Sequence, residues 1–286
     1  MAEWVQALLL GVVQGLTEFL PVSSSGHLVL VQEWLGEEFL AAANPVFFDL
    51  VLHLGTLVPI FWFYRAELRG ILTSPAASPS LKEAGGPWAW LRANDSRWLA
   101  TMVVVGSVPT AALGLGFEDL FEQLFSSVRP VCVAFLVTAA LLWSTRSAQK
   151  GAGGMEAGEA AGLTLAAALL IGTIQGVAII PGISRSGSTI ALALFLGLDR
   201  ALAARFSFLL SVPAILGALV LTVAKDHEVL LAGDIDGLAL SCGFVVAAIV
   251  GYLALSLLVG IVKRGGLHRF VWYLVPAAAL GWFTLG

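Results

Sequence analysis

The sequence has 286 residues, of which 58% are hydrophobic and 12% are charged, and its formal net charge at pH 7 is -4. Soluble globular domains carry about twice this share of charged residues, so the composition excludes that class and predicts an all-α polytopic membrane protein. The basic residues are few and scattered, so we expect a membrane protein with no nucleic-acid partner.

Transmembrane helices are predicted from apolar runs of about 20 residues, the length that crosses about 30 Å of hydrocarbon. Six runs qualify: 46–64, 98–116, 128–144, 206–224, 237–261 and 270–285. Two further regions, 4–36 and 161–198, each join two short apolar segments through a polar loop. We interpret both as re-entrant helix pairs, because non-helical backbone at membrane depth is tolerated only beside protein or a watery cavity.

The distribution of Lys and Arg predicts the orientation of these segments. Most basic residues fall in four connecting segments, 65–97, 145–160, 199–205 and 262–269, which we therefore place in the cytoplasm. The first re-entrant pair then enters from outside and the second from inside. The chain is thus predicted to be a single membrane domain, 1–286, whose halves 1–144 and 161–286 form an inverted-topology repeat across the linker 145–160.

Two polar loops carry a repeated motif, QGLTEFLPVSSSGHL at 14–28 and QGVAIIPGISRSGST at 175–189. At one constant offset, Gln14 matches Gln175 and Ser23 matches Ser184. In an inverted repeat with discontinuous helices such loops meet near the middle of the bilayer. The alternative is a pair of ordinary buried hairpins in which Gly and Ser merely permit close helix packing.

Three ionisable residues in these loops favour a functional site: Glu18, His27 and Arg185. A charged group within the membrane is costly, so each is a functional candidate by default. The structural alternatives are a counter-ion role for Arg185 and a helix-capping or core role for His27. Asp49 and His53, one helical turn apart, are either supporting polar groups or a satisfied buried pair.

The supporting residues Gln14 and Gln175 are expected to hydrogen-bond backbone where the helices break. Hydroxyl and glycine residues at the start of each second helix predict an anion site, since free N–H groups and the helix dipole favour negative charge there. The guanidinium of Arg185 can donate two parallel hydrogen bonds to one phosphate group, which indicates a phosphate ester or anhydride as the ligand. The predicted phosphate-binding residues are Ser23, Ser25, Gly26, Ser184, Arg185, Ser186, Gly187 and Thr189.

Binding alone requires neither Glu18 nor His27. Glu18 can hold a divalent cation or act as a general base, and His27 can attack phosphorus or protonate the leaving oxygen. Ser24 is a second nucleophile candidate, and its place in the first loop is taken by Arg185 in the second. We therefore expect the first loop to supply the reacting groups and the second to hold the phosphate, with Arg185 stabilising developing charge.

The stretch from Gln14 to His27 and the run PGISRSGST at 181–189 resemble the two signature regions of the undecaprenyl pyrophosphate phosphatase family, the bacitracin-resistance proteins of bacteria. The likeness extends over essentially the whole chain. It implies hydrolysis of undecaprenyl diphosphate to the monophosphate and inorganic phosphate, which recycles the lipid carrier for peptidoglycan synthesis. It also implies a divalent cation, Mg²⁺ or Ca²⁺, and a location in the bacterial inner membrane with the active site towards the periplasm.

Position by position, the resemblance places Glu18 on the family's essential glutamate, which we take as the tentative metal ligand. It places Gln14 where the family accepts Glu or Gln, and Ser24 and His27 on its catalytic candidates. Ser184, Arg185, Ser186 and Thr189 fall on its phosphate-binding loop, and Ser25 stands where many members have Thr.

A transporter or flippase for an anionic or phosphorylated lipid is the competing interpretation, because inverted repeats with broken helices are a transporter architecture. For the phosphatase, the expected partner is a polyprenyl diphosphate lipid in the membrane. The oligomeric state stays open, with a homodimer as one option.

Overall fold

A computed structural model describes residues 3–35, 45–73, 85–125, 127–148, 162–225 and 237–286. Every regular element in these ranges is helical, which confirms the predicted all-α class. The helices are α1 (Glu3–Phe19), α2 (Ser24–Leu35), α3 (Pro45–Phe63), α4 (Arg65–Thr73), α5 (Pro87–Arg92), α6 (Asp95–Gly116), α7 (Glu118–Phe125), α8 (Val128–Ala148), α9 (Leu165–Val177), α10 (Arg185–Phe195), α11 (Arg200–Lys225), α12 (Gly237–Lys263) and α13 (Val271–Thr284), the last preceded by a 3₁₀ turn (Leu267–Phe270).

Within the described ranges, four helices are long and apolar enough to cross a membrane: α6, most of α8, α11 and α12. Their length and composition indicate a multi-pass membrane protein, and they coincide with four of the six predicted spans. Helix α3 has 19 residues and α13 has 14, so the count of six spans with two re-entrant pairs stays a prediction.

Several helix ends differ from the prediction. Helix α11 begins at Arg200, inside the segment 199–205 that was expected to be a loop. The cause is Asp199, whose Oδ1 accepts from the backbone N–H groups of Ala201 at 2.8 Å and Leu202 at 3.1 Å and so caps the helix. Short helices α4 and α5 likewise lie in the connecting segment 65–97, and α7 lies in the connection between the predicted spans 98–116 and 128–144. The linker 145–160 lies largely outside the described residues, although α8 extends into it as far as Ala148.

The first helix of each re-entrant pair packs against a long helix of the opposite half, α1 on α12 and α9 on α6. Glycines permit both approaches, since a Cβ on Gly11 would lie 2.8 Å from the Gly243 carbonyl oxygen. A Cβ on Gly172 would overlap the Gly106 carbonyl oxygen. Gly11 and Gly172 are separated by the same number of residues as Gln14 and Gln175, so the repeat includes the packing face as well as the loops.

One large apolar core joins the two halves around the helix breaks. Its largest buried side chains include Phe19 of α1, Trp98 of α6, Phe135 of α8 and Phe206 of α11. Because these helices come from both halves, the core holds the two interrupted helix pairs against one another and fixes where their loops lie.

Candidate active site

The first helix break lies between Phe19, the last residue of α1, and Ser24, the first residue of α2. Ser23 has a φ of 71°, a left-handed conformation that reverses the chain. Its Oγ lies 3.4 Å from the Gly26 N–H and 3.3 Å from the Ser25 Oγ. Ser24 is therefore presented at the N-terminus of α2.

The second break repeats this arrangement between α9 and α10. Ser184 caps α10 by accepting from the Gly187 N–H at 3.1 Å, and its Oγ lies 3.3 Å from the Ser186 Oγ. Arg185 is then the first residue of α10, the position that Ser24 holds in α2. The correspondence between the two loops in sequence thus extends to their hydrogen bonds.

The two loops are in direct contact. The Gly182 N–H donates to the Ser23 Oγ at 3.0 Å, which ties the second loop to the first. Thr138 of α8 fixes the same segment, since it donates to the Gly182 carbonyl at 2.9 Å and accepts from the Ser184 N–H at 3.1 Å. A Cβ on Gly26 would lie 3.0 Å from the Gly182 Cα, so this contact depends on glycine.

Four side chains converge on the buried carboxylate of Glu18. Its Oε1 forms an ion pair with Arg185 from the opposite half. Its Oε2 accepts from Ser24 Oγ at 2.6 Å and from Gln14 Nε2 at 3.1 Å, and His53 Nε2 lies 3.7 Å away. The Glu18 side chain is 3% exposed and that of Arg185 is 23% exposed, so the ion pair is buried at its carboxylate end.

His53, on α3, was not among the predicted site residues. Its Nδ1 lies 2.7 Å from the Asp49 carbonyl oxygen, one turn earlier, and its Nε2 faces Glu18. The Asp49 carboxylate instead accepts from Gln32 Nε2 at 3.2 Å. The only sequence signal for His53 was an imidazole within an apolar helix, and sequence alone did not reveal which way it points.

His27 lies beside the cavity and does not line it. Its Nδ1 is 2.7 Å from the Ser23 carbonyl oxygen and its Nε2 is 2.8 Å from the Tyr273 hydroxyl. The ring also stacks on Tyr273, with centroids 5.6 Å apart, and contacts Phe135. Both ring nitrogens are therefore engaged by groups that hold the first loop in place.

A cavity of about 710 Å³ opens from the two loops. Its polar lining includes Glu18, Ser24, His53, Ser184 and Arg185. The remaining wall is mainly apolar and includes Leu115 of α6, Phe121 of α7, and Val220 and Leu221 in the C-terminal half of α11. A charged head group and a hydrocarbon chain on one ligand would suit these two kinds of surface.

The other predicted phosphate-binding residues divide into two groups. Ser23 and Ser25 also line the cavity. Gly26, Ser186, Gly187 and Thr189 are not among its lining residues and instead shape the loops: Gly187 packs against Pro21, and Thr189 donates to the Arg185 carbonyl at 2.8 Å.

Gln14 was predicted to hydrogen-bond backbone, and this prediction was wrong. Its side-chain amide donates to the Glu18 carboxylate instead. Gln175 does hydrogen-bond backbone, but on α11 and not at a helix break. Its Nε2 donates to the Leu210 carbonyl of α11 and to Thr110 Oγ1, both at 3.2 Å. The carboxylate of Glu18 attracts the Gln14 amide more strongly than a neutral carbonyl would.

The described residues contain no group of three or more His, Cys, Asp or Glu side chains that could enclose a metal ion. Among the described residues that line the cavity, Glu18 is the only carboxylate. A protein-only metal cage is therefore absent from this part of the chain, and a cation here would need ligands from its substrate or from water.

Comparisons with known proteins identify relatives along nearly the whole chain. The family model described as "Bacitracin resistance protein BacA" matches residues 7–280. A protein of Desulfatibacillum aliphaticivorans named undecaprenyl-diphosphatase is 44% identical over 97% of this chain and 98% of its own length. A protein of the same name from Carboxydothermus hydrogenoformans is 42% identical over 94% of this chain and 92% of its own length. Another, from Desulfosudis oleivorans, is 44% identical over 95% of this chain and 94% of its own length.

Proposed function

The chain belongs to the bacitracin resistance protein BacA family, and we propose on this basis that it is an undecaprenyl-diphosphatase. It is a membrane hydrolase that converts undecaprenyl diphosphate to undecaprenyl monophosphate and inorganic phosphate. This activity returns the lipid carrier to cell-wall synthesis and accounts for bacitracin resistance. The observation that carries the proposal is the convergence of Ser24 and Arg185 on Glu18 inside a cavity with an apolar wall.

The diphosphate head group binds between the starts of α2 and α10. Arg185 and the Ser184 hydroxyl line the cavity there, and a guanidinium can grip a phosphoryl group through two parallel hydrogen bonds. The N-terminus of α10 adds a positive dipole end. The prenyl chain then lies along the apolar wall formed by α6 and α11.

Ser24 is the nucleophile in this proposal and Glu18 is its general base. The Ser24 hydroxyl already donates to Glu18 Oε2 at 2.6 Å, within the range needed for proton transfer. As Ser24 Oγ attacks the terminal phosphorus, its proton passes to Glu18. The bond from that phosphorus to the bridging oxygen breaks, and undecaprenyl monophosphate leaves with the electron pair.

Water completes the reaction. It attacks the phosphorus of the phosphoserine, and the bond from phosphorus to Ser24 Oγ breaks. Glu18 returns the proton that it took in the first step to Ser24 Oγ, and the protons of water leave with inorganic phosphate. Arg185 stabilises the charge that develops on the phosphoryl oxygens in both steps. His27 is assigned to positioning the first loop, because both of its ring nitrogens are engaged by Ser23 and Tyr273.

The Mg²⁺ or Ca²⁺ that the family resemblance implies fits a site with Glu18 as its carboxylate ligand. Mg²⁺ is commonly held by one or two carboxylates together with substrate phosphates, which agrees with a single carboxylate beside a phosphate pocket. When bound, such a cation would neutralise charge on the diphosphate.

The cavity faces the periplasm of a bacterial inner membrane in this proposal. Support comes from the basic segments, which are predicted to be cytoplasmic, and from the cavity wall near the C-terminal ends of α6 and α11. Those ends adjoin the acidic segments 117–129 and 225–236, which the same rule places outside. A homodimer stays a prediction.

The decisive experiment measures phosphate release from undecaprenyl diphosphate by the purified full chain in detergent. Detergent leaves no second compartment, so release by the wild-type protein supports the hydrolase. A wild-type protein that releases no phosphate in detergent but moves the labelled lipid between the leaflets of a vesicle would favour the flippase instead.

A further inference from the structure

We propose that Thr138 of α8 is a positioning residue for phosphate binding, because its hydroxyl holds the backbone that carries Ser184 and Arg185. The inference rests on the proposed function, since it gives Thr138 control over how tightly those two residues hold a diphosphate head group. Thr138 is fully buried and is not among the residues that line the cavity. It therefore acts through its neighbours and not by touching the ligand.

The Thr138 hydroxyl joins two backbone groups that lie outside any helix. The Gly182 carbonyl and the Ser184 N–H belong to the break between α9 and α10, where both residues are buried. Buried backbone groups without a partner are costly. Thr138 serves both, since it donates to the Gly182 carbonyl at 2.9 Å and accepts from the Ser184 N–H at 3.1 Å. One hydroxyl thus fixes the turn directly before α10.

The same face of α8 supports this turn sterically. Gly182 has a φ of 93°, and a Cβ on it would lie 2.5 Å from the Val131 carbonyl oxygen and 2.6 Å from the Ala134 Cβ. Val131, Ala134 and Thr138 follow the spacing of one helix face. The turn therefore rests directly on α8, and Thr138 adds the directional hydrogen bonds that set its rotation.

A change in this turn would reach the phosphate-binding groups. Ser184 caps α10 through the Gly187 N–H, and Arg185 is the first residue of that helix. Both Ser184 and Arg185 line the cavity. Hydrogen bonds from a guanidinium to a phosphate depend on distance and angle together. Loss of the Thr138 hydroxyl should thus weaken phosphate binding although every group that touches the phosphate is still present.

The first loop is held in a corresponding way from the other side. Tyr273 of α13 lies 2.8 Å from His27 Nε2, so the last helix of each predicted half contacts the loop of the other half. In the proposed function the first loop supplies the reacting groups and the second loop holds the phosphate. Thr138 should therefore affect ligand affinity, whereas Tyr273 should affect turnover.

The test measures binding of inorganic pyrophosphate to the full chain in detergent by titration calorimetry. Thr138→Val keeps the shape of the side chain and removes the hydroxyl. Its Kd for pyrophosphate should rise at least about tenfold, the effect of losing one hydrogen bond to a charged group. Thr138→Ser keeps the hydroxyl and should bind as the wild type does. With undecaprenyl diphosphate as substrate, KM should rise in Thr138→Val and not in Thr138→Ser.

Thr145→Val is the matched control on the same helix. Thr145 is as fully buried as Thr138, but its hydroxyl donates to the Leu142 carbonyl of its own helix at 2.7 Å. Its pyrophosphate affinity and KM should equal those of the wild type, even where its melting temperature falls. A merely structural role for Thr138 would lower the melting temperature of Thr138→Val in the same way and leave Kd and KM unchanged.

Four results would overturn the inference: wild-type protein that does not bind pyrophosphate, unchanged affinity in Thr138→Val, equal weakening in Thr138→Ser, or equal weakening in Thr145→Val. Thr138→Ala repeats the test if the valine variant does not fold. Failure of both variants to fold would make Thr138 a structural residue and also overturn the inference. Phosphate release from undecaprenyl diphosphate by the wild type judges the phosphatase assignment separately, so either can fail alone.

Discussion

Arg185 forms an ion pair with Glu18 although the two residues come from different halves of the repeat. The same carboxylate accepts the Ser24 hydroxyl, so a phosphate-binding cation and a nucleophile share one buried partner. This shared contact makes the site testable residue by residue, since each of the three side chains has a distinct role in the proposed reaction.

Replacement of the general base should stop the chemistry. We expect Glu18→Gln to lower kcat for phosphate release by about 10²- to 10⁴-fold, the usual contribution of a positioned base, while the protein still binds the lipid. Glu33→Gln, at an exposed position on α2, is the control and should be near wild type. Normal turnover in Glu18→Gln would contradict the assignment.

The ion pair should also appear in stability measurements. Arg185→Ala leaves a buried carboxylate without its partner, which typically costs about 3–5 kcal/mol. The double variant Glu18→Gln, Arg185→Ala removes that unpaired charge and should unfold at a higher temperature than Arg185→Ala alone. Additive losses in this cycle, measured by thermal unfolding in detergent, would show that the two residues are not coupled.

Ser24 should carry the transferred phosphoryl group. Acid quenching during turnover with terminally labelled undecaprenyl diphosphate should trap label on a peptide that contains Ser24, and Ser24→Ala should trap none. Ser144→Ala, at an exposed position near the end of α8, should trap as much label as the wild type. A parallel quench in alkali that traps an acid-labile, alkali-stable adduct on His27 would assign the nucleophile to histidine instead.

The hydrogen bond between Tyr273 and His27 should affect turnover only by helping His27 to position the first loop. Tyr273→Phe removes one hydrogen bond to a ring nitrogen of His27, which we expect to cost about 0.5–1.5 kcal/mol and to lower kcat less than tenfold. Tyr252→Phe on α12 serves as the control. Loss of activity as complete as in Glu18→Gln would indicate that His27 takes part in the chemistry.

The glycine contact between α9 and α6 should be intolerant of a side chain. Gly172→Ala places a methyl group against the Gly106 carbonyl, and forcing an extra group into a packed core costs about 1–3 kcal/mol. Gly260→Ala on α12 has no neighbour within 4 Å of its Cβ and should be neutral or stabilising. Equal melting temperatures for the two variants would show that α9 can move away from α6.

The sequence was sufficient for the helical class, for both helix breaks and for the family, which the comparisons confirm. The lengths of the apolar runs determine the helical class from local sequence. The Pro, Ser and Gly residues likewise determine where the helices break. The contact between Glu18 and Arg185 was also foreseeable, because the two loops that carry the repeated motif were expected to meet.

The directions of side chains could not be predicted in the same way. His27 turns towards Tyr273 and His53 turns towards Glu18, and both choices depend on how α2 and α3 are rotated against their neighbours. The partner of Gln14 was missed for the same reason. Rotation about a helix axis is set by packing across distant parts of the chain, which a single sequence does not specify.

The ion pair between the halves also bears on biosynthesis. Glu18 leaves the ribosome 167 residues before Arg185, a delay of roughly 10–30 s at about 5–20 residues per second. During that interval an isolated carboxylate would be costly in hydrocarbon. Until the second half supplies Arg185, Glu18 must therefore be protonated or remain in contact with water or the insertion machinery.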